Sequence, residues 1–434
     1  MQCCVKALVY AILVLLLSII SLKALFDEPL FSSSHTDDVK VLDDAIFPFN
    51  DISTAQSTAS SKPDFTSLSL SDLVYNETSL NDNYRDDIKH LLDFAIIGHG
   101  KSATTKLMNW LVSFSSSSGN ETQPDGNTQT AKPIIQMPNH EIHFLTHGEP
   151  GLFVEELFKL QTTSTVSSSH GKVLVGYKSP NDIEVVQSRN LLQRYFPLTR
   201  LIVGVRHPVT WFQSWYNFHS RLDDQPLPNA ETYGRTIVFN TTTNTTDIQY
   251  NLPYHAMFHV HLALMRKTAR TDPREWELLD PFVTPTEKSM LLKRSNDLDC
   301  FNDSCRTMNH HVLLYESTQP FDHNTSRRIM FANDLGRHIG LMDTDKHNPR
   351  DKEGILPPLK DATNYQSRNY SSDIDICDDR YRQVRADLLE LGTAAATWIL
   401  DHFLPLESVH VSSPQHFQEL LHNWSVDPCM TGDA

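Results

Sequence analysis

The stretch Phe94–Leu107, FAIIGHGKSATTKL, constrains the fold more than any other part of the chain. A short apolar run ends at Gly98. Past the Gly100-Lys101-Ser102 turn, Leu107, Trp110, Leu111 and Phe114 recur at helical spacing. An apolar run of this length bounded by glycine predicts a strand buried on both faces, leading through a tight turn into a helix. Val173–Tyr177, Leu201–Val205 and Val312–Tyr315 predict strands of the same kind, with helical patterns over Val209–Phe218, Leu252–Arg266 and Arg380–Phe403. Strands alternating with helices predict an α/β, P-loop-like domain whose mostly parallel central sheet is flanked by helices on both faces. Polar interruptions at Ser115–Thr130, Thr162–His170 and Asn229–Thr246 predict surface loops.

The ends of the 434-residue chain differ from this middle. A tail of residues 1–6 precedes the apolar run Ala7–Leu22, which extends to Phe26 if Lys23 snorkels. A helix of that length spans about 24–30 Å, enough for a thin membrane. Two readings stand: an uncleaved signal anchor over 7–26, which is preferred, and a long signal peptide, which lacks a small-x-small cleavage site. Residues 27–88, rich in Asp, Ser and Thr without a sustained period, predict a stem. The main domain is then expected over 89–410, with a C-terminal extension at 411–434. Eight Asn-x-Ser/Thr sequons, at Asn76, Asn120, Asn240, Asn244, Asn302, Asn324, Asn369 and Asn423, all follow the apolar run and suit a luminal body. Cys3 and Cys4 lie on the short cytosolic side. Cys300, Cys305, Cys377 and Cys429 are an even set for an oxidising compartment, with two disulfides expected and three pairings open. With 37 Lys+Arg against 53 Asp+Glu, a net charge of −16 argues against a nucleic-acid partner.

Gly100-Lys101-Ser102 invites comparison with the ATPase phosphate loop, which needs another glycine five positions before the Gly-Lys pair. That position is Ala95, inside the predicted strand. The ATPase pattern fails on its own spacing, yet a strand–turn–helix still points amides and a helix N-terminus at an anion. Lys101 adds a charge, and the hydroxyls of Ser102, Thr104 and Thr105 lie in the first turn. A helix cap with an incidental lysine is the plainer reading of this stretch alone. A second stretch, LIVGVRHPVTWFQSWYNFH, places Arg206 at a strand end and Ser214 in the next helix, where a guanidinium fork and a hydroxyl make another anion site. Two anion sites at adjacent strand ends suit a nucleoside bearing phosphates at both ends.

With both motifs in this order, the chain resembles the sulfotransferases that use 3′-phosphoadenosine 5′-phosphosulfate. In that family Lys101, Thr104 and Thr105 match the loop that holds the 5′-phosphosulfate, with Ala103 where glycine is usual. Arg206, Pro208 and Ser214 match the motif for the 3′-phosphate. Two further stretches resemble the Golgi, glycan-modifying branch of heparan-sulfate type. IIQMPNHEIHFL is similar to its segment ending Lys-Glu-x-His-Phe-Phe, with His140 for the lysine and Leu145 for the last Phe. GYKSPND carries its Lys-Ser/Thr-Pro motif as Lys178, Ser179 and Pro180. The resemblance covers roughly residues 90–320. Of the branch's basic loop near the 3′-phosphate, only Arg368 offers a loose counterpart.

The resemblance implies Glu141 as general base toward an acceptor hydroxyl, and Lys101 as the cation on the bridging oxygen and sulfuryl group. It implies Lys178 as a contact to the sulfuryl group and acceptor, and His143 as an orienting residue or replacement base. It also implies cofactor contacts from Ser102 and Ala103, a glycan acceptor, no metal, and a type II Golgi membrane protein with a luminal catalytic domain. The acidic balance leans toward a neutral or lightly charged glycan. Two rivals stand beside this: an inactive glycan-binding protein of the same fold, motivated by Ala103 and His140, and a P-loop kinase or NTPase. His140-Glu141-Ile142-His143 also suits a polar strand-end cluster, and it is not a zinc motif, because its second histidine comes one residue early. His255, His259 and His261 lie in one predicted helix without an evident carboxylate. Trp211, Phe212, Trp215 and Phe218 predict core packing, or for one of them adenine stacking.

Overall fold

The computed structural model describes residues 68–116, 134–165, 173–221, 227–233, 235–240, 245–250, 258–266, 310–341 and 373–430. A small antiparallel ribbon, β1 (Val74–Asn76) with β2 (Ser79–Leu80), comes first. Then follow β3 (Phe94–Ile96), α1 (Thr104–Ser116), β4 (Ile134–Gln136), α2 (Pro150–Thr165) and β5 (Val173–Lys178). Next come α3 (Val186–Tyr195), β6 (Arg200–Val205), α4 (Pro208–His219), a hairpin of β7 (Arg235–Asn240) and β8 (Thr245–Tyr250), and α5 (Phe258–Arg266). The chain continues with β9 (Val312–Glu316), α6 (Thr325–His338), α7 (Arg382–Trp398), β10 (Val409–Val411) and α8 (Pro414–His422).

Six strands form one sheet in the order β10-β9-β6-β3-β5-β4, and every pair in it is parallel. Each strand alternates its side chains between two cores, as the two-residue period requires. Phe94, Ile96, Leu174, Ile202 and Leu313 meet Leu107 and Leu111 of α1 and Phe331 and Leu335 of α6. Ala95, Ile97, Val175, Leu201 and Leu314 meet α2, α3, α4, α7 and α8 through Leu157, Leu192, Phe212, Leu388 and Phe417. Burial on both faces explains why these strands appear in the sequence as unbroken apolar runs. The fold is the α/β, P-loop-like one expected from the alternation, with helices on both faces.

The topology places a site. From β3 the chain fills one side with β4 and β5, then returns to the other side with β6, β9 and β10. Such a switch point opens a crevice at the carboxyl ends of the strands. Close approach there depends on glycine: a Cβ on Gly98 would lie 2.2 Å from the Gly204 amide nitrogen, and one on Gly204 would lie 2.8 Å from the Ser102 carbonyl oxygen.

Several expectations need correcting. The ordered domain passes both limits drawn at 89 and 410, because Leu73, Leu80 and Ile88 on one side and Phe417, Leu421 and Trp424 on the other join the same core. Thr162 is not the start of a loop. Helix α2 runs to Thr165, and the Thr162 hydroxyl donates to the Phe158 carbonyl at 3.0 Å, giving a polar residue a place on a helix. The polar stretch from Asn229 holds a helical turn over Ala230–Tyr233 and the β7–β8 hairpin. Phe218 is not core; it is 43 % exposed. Cys377 and Cys429 form a disulfide that closes a separation of 52 residues, worth about 4 kcal/mol if its effect is loop entropy. Cys300 and Cys305 lie outside the described residues, as do the run Ala7–Leu22, His255 and Arg368. Among the described residues no helix is long and apolar enough to cross a membrane.

Candidate active site

The loop between β3 and α1 is held by its carbonyl groups. The Trp211 indole N–H donates to the Gly100 carbonyl at 2.8 Å, Arg206 Nη1 to that of Lys101 at 3.0 Å, and the Tyr315 hydroxyl to that of Ser102 at 2.9 Å. Three successive carbonyls are thus drawn toward α4, the end of β6 and β9. The Ser102 amide closes a turn on the His99 carbonyl, and the first bond of the helix is that of the Leu107 amide to the Ala103 carbonyl. The amides of Thr104, Thr105 and Lys106 therefore have no partner within the helix, and with the helix dipole they favour an anion.

The turn needs two left-handed residues, Lys101 at φ 68° and Ala103 at φ 63°. Left-handed backbone costs a residue with a Cβ about 1–2 kcal/mol. Ala103 thus adopts the conformation for which glycine is suited, and the absence of glycine strains the loop without opening it. Ala103→Gly relieves that strain but loosens the unfolded chain, so a net gain of roughly 0.5–1 kcal/mol is expected. Urea unfolding measures it, and a destabilised variant would contradict the account.

Cations gather over this loop. Lys178 ends β5 in register with Ile96 of β3, with its side chain 1 % exposed. Its Nζ donates to Thr105 Oγ1 at 2.6 Å and to Glu141 Oε1. Burial pushes the Lys178 ammonium down, and Glu141 opposes that shift. Glu141 reaches Lys178 because the Ile142 amide donates to the Lys178 carbonyl at 3.1 Å, laying segment 139–143 across the end of β5. Buried Asp182 ties the helical turn Phe144–His147 that follows to β5, accepting from the Thr146 and Tyr177 hydroxyls at 2.7 Å each. The other Glu141 oxygen lies 3.6 Å from His143 Nε2, and His143 Nδ1 lies 3.5 Å from the Ser179 hydroxyl. Glu141 and His143 are each about a third exposed. His140 turns to solvent and pairs with Asn139.

Lys101 sits with its Nζ 3.0 Å from the centroid of the Phe218 ring. Burial pushes it down to about 8; Glu141 supports its charge, and Lys178, Arg221 and Arg206 oppose it. An acidic chain has thus concentrated positive charge at one crevice. Arg206, at the end of β6, also donates from Nε to Thr210 Oγ1 at 3.3 Å, and Ser214 follows one turn later on that face of α4. Burial opposes the Arg206 charge and Glu316, at the end of β9, favours it. His207 caps α4, its Nδ1 accepting from the Val209 amide at 3.2 Å while Nε2 faces the Asn423 and Val426 carbonyls.

The structure therefore brings Lys101, Thr105, Glu141, His143 and Lys178 into one crevice, with Arg206 and Ser214 beside it. Ser102 and Thr104 are buried, so of the three hydroxyls only that of Thr105 faces outward. Trp211 is buried as expected, but its N–H also supports the loop. Tyr315 and Glu316 were not singled out in the sequence, where they close an apolar run without motif spacing; only the parallel register of β9 on β6 brings them here. No protein-family profile matches this chain, and no curated protein sequence matches it.

Proposed function

We propose that the chain is a sulfotransferase moving the sulfuryl group of 3′-phosphoadenosine 5′-phosphosulfate to a carbohydrate hydroxyl. The observation that carries this reading is the contact of buried Lys178 with both Thr105, at the anion loop, and partly exposed Glu141. One cation thereby joins a phosphate-binding turn to a carboxylate open to an acceptor. Outward amides, Lys101 and Lys178 suit a 5′-phosphosulfate; Arg206 and Ser214 suit a 3′-phosphate. A type II Golgi protein with a luminal domain belongs to the same proposal, supported by the N-terminal run and the sequons. Of those sequons, Asn76, Asn324 and Asn423 are exposed.

In the transfer, the acceptor oxygen forms a bond to sulfur as the bond from sulfur to the bridging phosphate oxygen breaks. Glu141 takes the acceptor proton. Lys101, with Lys178 behind it, neutralises charge growing on the bridging oxygen, as cations do in phosphoryl transfer. His143, between Glu141 and Ser179, orients the carboxylate. The products are a sulfate ester and adenosine 3′,5′-bisphosphate. The Lys101 and Lys178 charges supply this neutralisation, so no metal is assigned to the step.

Thermal unfolding with adenosine 3′,5′-bisphosphate against ATP plus magnesium tests the reading. Stabilisation by the bisphosphate is expected; stabilisation by ATP alone would favour a kinase or NTPase. Transfer of labelled sulfate across a glycan panel then separates an enzyme from an inactive glycan binder.

The shifted Lys101 adds a pH dependence. Only the ammonium holds an anion, so affinity for the bisphosphate is greatest well below pH 8 and falls as pH rises through that value. At pH 9 about a tenth of Lys101 stays protonated, so affinity is expected to fall about tenfold relative to pH 7. Lys101→Arg should flatten the profile, as guanidinium does not titrate there. Calorimetric titration between pH 7 and 9 measures it, and equal slopes in both proteins would refute the assignment.

A further inference from the structure

At the base of the anion loop, three buried side chains converge from distant parts of the chain. His99 precedes Gly100 in the loop, Glu184 lies in the turn after β5, and His261 is on α5. His99 and His261 are fully buried, and Glu184 is 8 % exposed. One ligating atom from each lies within 4.8 Å of the others. His99 Nδ1 is 3.5 Å from Glu184 Oε1, and the His99 and His261 rings stack at 5.1 Å.

We propose that His99, Glu184 and His261 bind one divalent transition-metal ion of the zinc class. In a tetrahedral site with arms of about 2.1 Å, neighbouring donor atoms stand about 3.4 Å apart, so the His99–Glu184 pair already has that spacing. The third donor, on His261, lies within 4.8 Å of both. Two imidazole nitrogens and a carboxylate oxygen suit zinc, cobalt or nickel, whereas magnesium and calcium take oxygen ligands. The edge of Phe258 closes the site, with its ring 4.5 Å from that of His99.

In the sequence, His255, His259 and His261 showed no carboxylate partner; Glu184 supplies one through the fold, while His259 stands outside the triad. The ion would fix the base of the anion loop, since the His99 carbonyl holds the Ser102 amide at 3.2 Å and its amide donates to the Gly204 carbonyl at 3.3 Å. It takes no part in the transfer chemistry, and the site stands whether or not the chain transfers sulfate.

The test uses the full chain without a polyhistidine tag, stripped with a chelator, exposed to zinc or magnesium, and desalted. Elemental mass spectrometry is expected to find about one zinc per chain and no magnesium. Zinc should raise the melting temperature of the stripped protein, and cobalt should give the visible absorption of a tetrahedral site. Glu184→Gln and His261→Gln, each checked for native circular dichroism, should each lose most of the zinc, and His259→Gln should keep it. A wild-type chain that leaves the column without zinc overturns the proposal and makes His99–Glu184 an ion pair. Full zinc in either folded triad variant overturns it as well. Bisphosphate stabilisation measured on the same samples reports separately on the sulfotransferase reading.

Discussion

Replacing Glu141 by glutamine is expected to lower sulfate transfer by about 10²- to 10⁴-fold, the usual contribution of a positioned acid–base group. Glutamine keeps the shape of the side chain and can still accept from Lys178, but it cannot take the acceptor proton. Affinity for adenosine 3′,5′-bisphosphate should change by less than about threefold, because losing the Glu141 charge removes support for the Lys101 ammonium but also removes a repulsion on the bound anion. The loss should therefore fall on kcat. Single-turnover transfer of labelled sulfate separates this from binding. His143 offers the rival base, being 3.6 Å from Glu141 and similarly exposed. If Glu141→Gln transfers sulfate at nearly the wild-type rate while His143→Gln does not, the base is His143.

Arg206→Ala is expected to weaken adenosine 3′,5′-bisphosphate binding by roughly 10- to 100-fold, the value of a charge-assisted bond or two to a phosphate. Two effects add. The fork toward the 3′-phosphate is lost, and the Lys101 carbonyl loses the 3.0 Å bond that keeps it turned away from the ligand. The variant also leaves Glu316 without its neighbouring guanidinium, so some loss of stability is expected without ligand. Arg206→Lys should recover only part of the affinity, because an ammonium restores charge without the two-pronged geometry. Calorimetric titration at fixed salt measures these constants. Wild-type affinity in Arg206→Ala would remove the 3′-phosphate site from the proposal.

The four central strands could be found in the sequence because a parallel strand covered on both faces must be apolar throughout, as Leu201–Val205 is. Strands β4 and β10 could not. They are the two edge strands, only partly covered, so neither Ile134–Gln136 nor Val409–Val411 is the unbroken buried apolar run that reveals β3, and they exist because a neighbouring strand offers hydrogen bonds. Helix α6, TSRRIMFANDLGRH, also escaped notice: its polar face outweighs the few residues, Phe331 and Leu335 among them, that reach the core. The small ribbon and short helices before residue 89 looked like stem because Leu73, Leu80 and Ile88 are isolated apolar residues in a polar stretch. Their value lies in what they pack against, which local pattern does not record.

The same division holds in the site. Lys101, Thr105 and Arg206 were legible because a turn from strand to helix limits which residues can face an anion, and chain order alone supplies that; the burial of Thr104 was not. What the sequence by itself determined was this alternation of strand, turn and helix, and the positive charges at two strand ends. Tertiary structure alone decided that Lys178 joins Thr105 to Glu141, that Trp211, Arg206 and Tyr315 each hold one loop carbonyl, and that Glu184 meets His99 and His261. Those contacts depend on the register of parallel strands and on crossovers between residues far apart in the chain. Parallel pairing brings all the strand ends to one edge, and no spacing along the sequence encodes which side chains meet there.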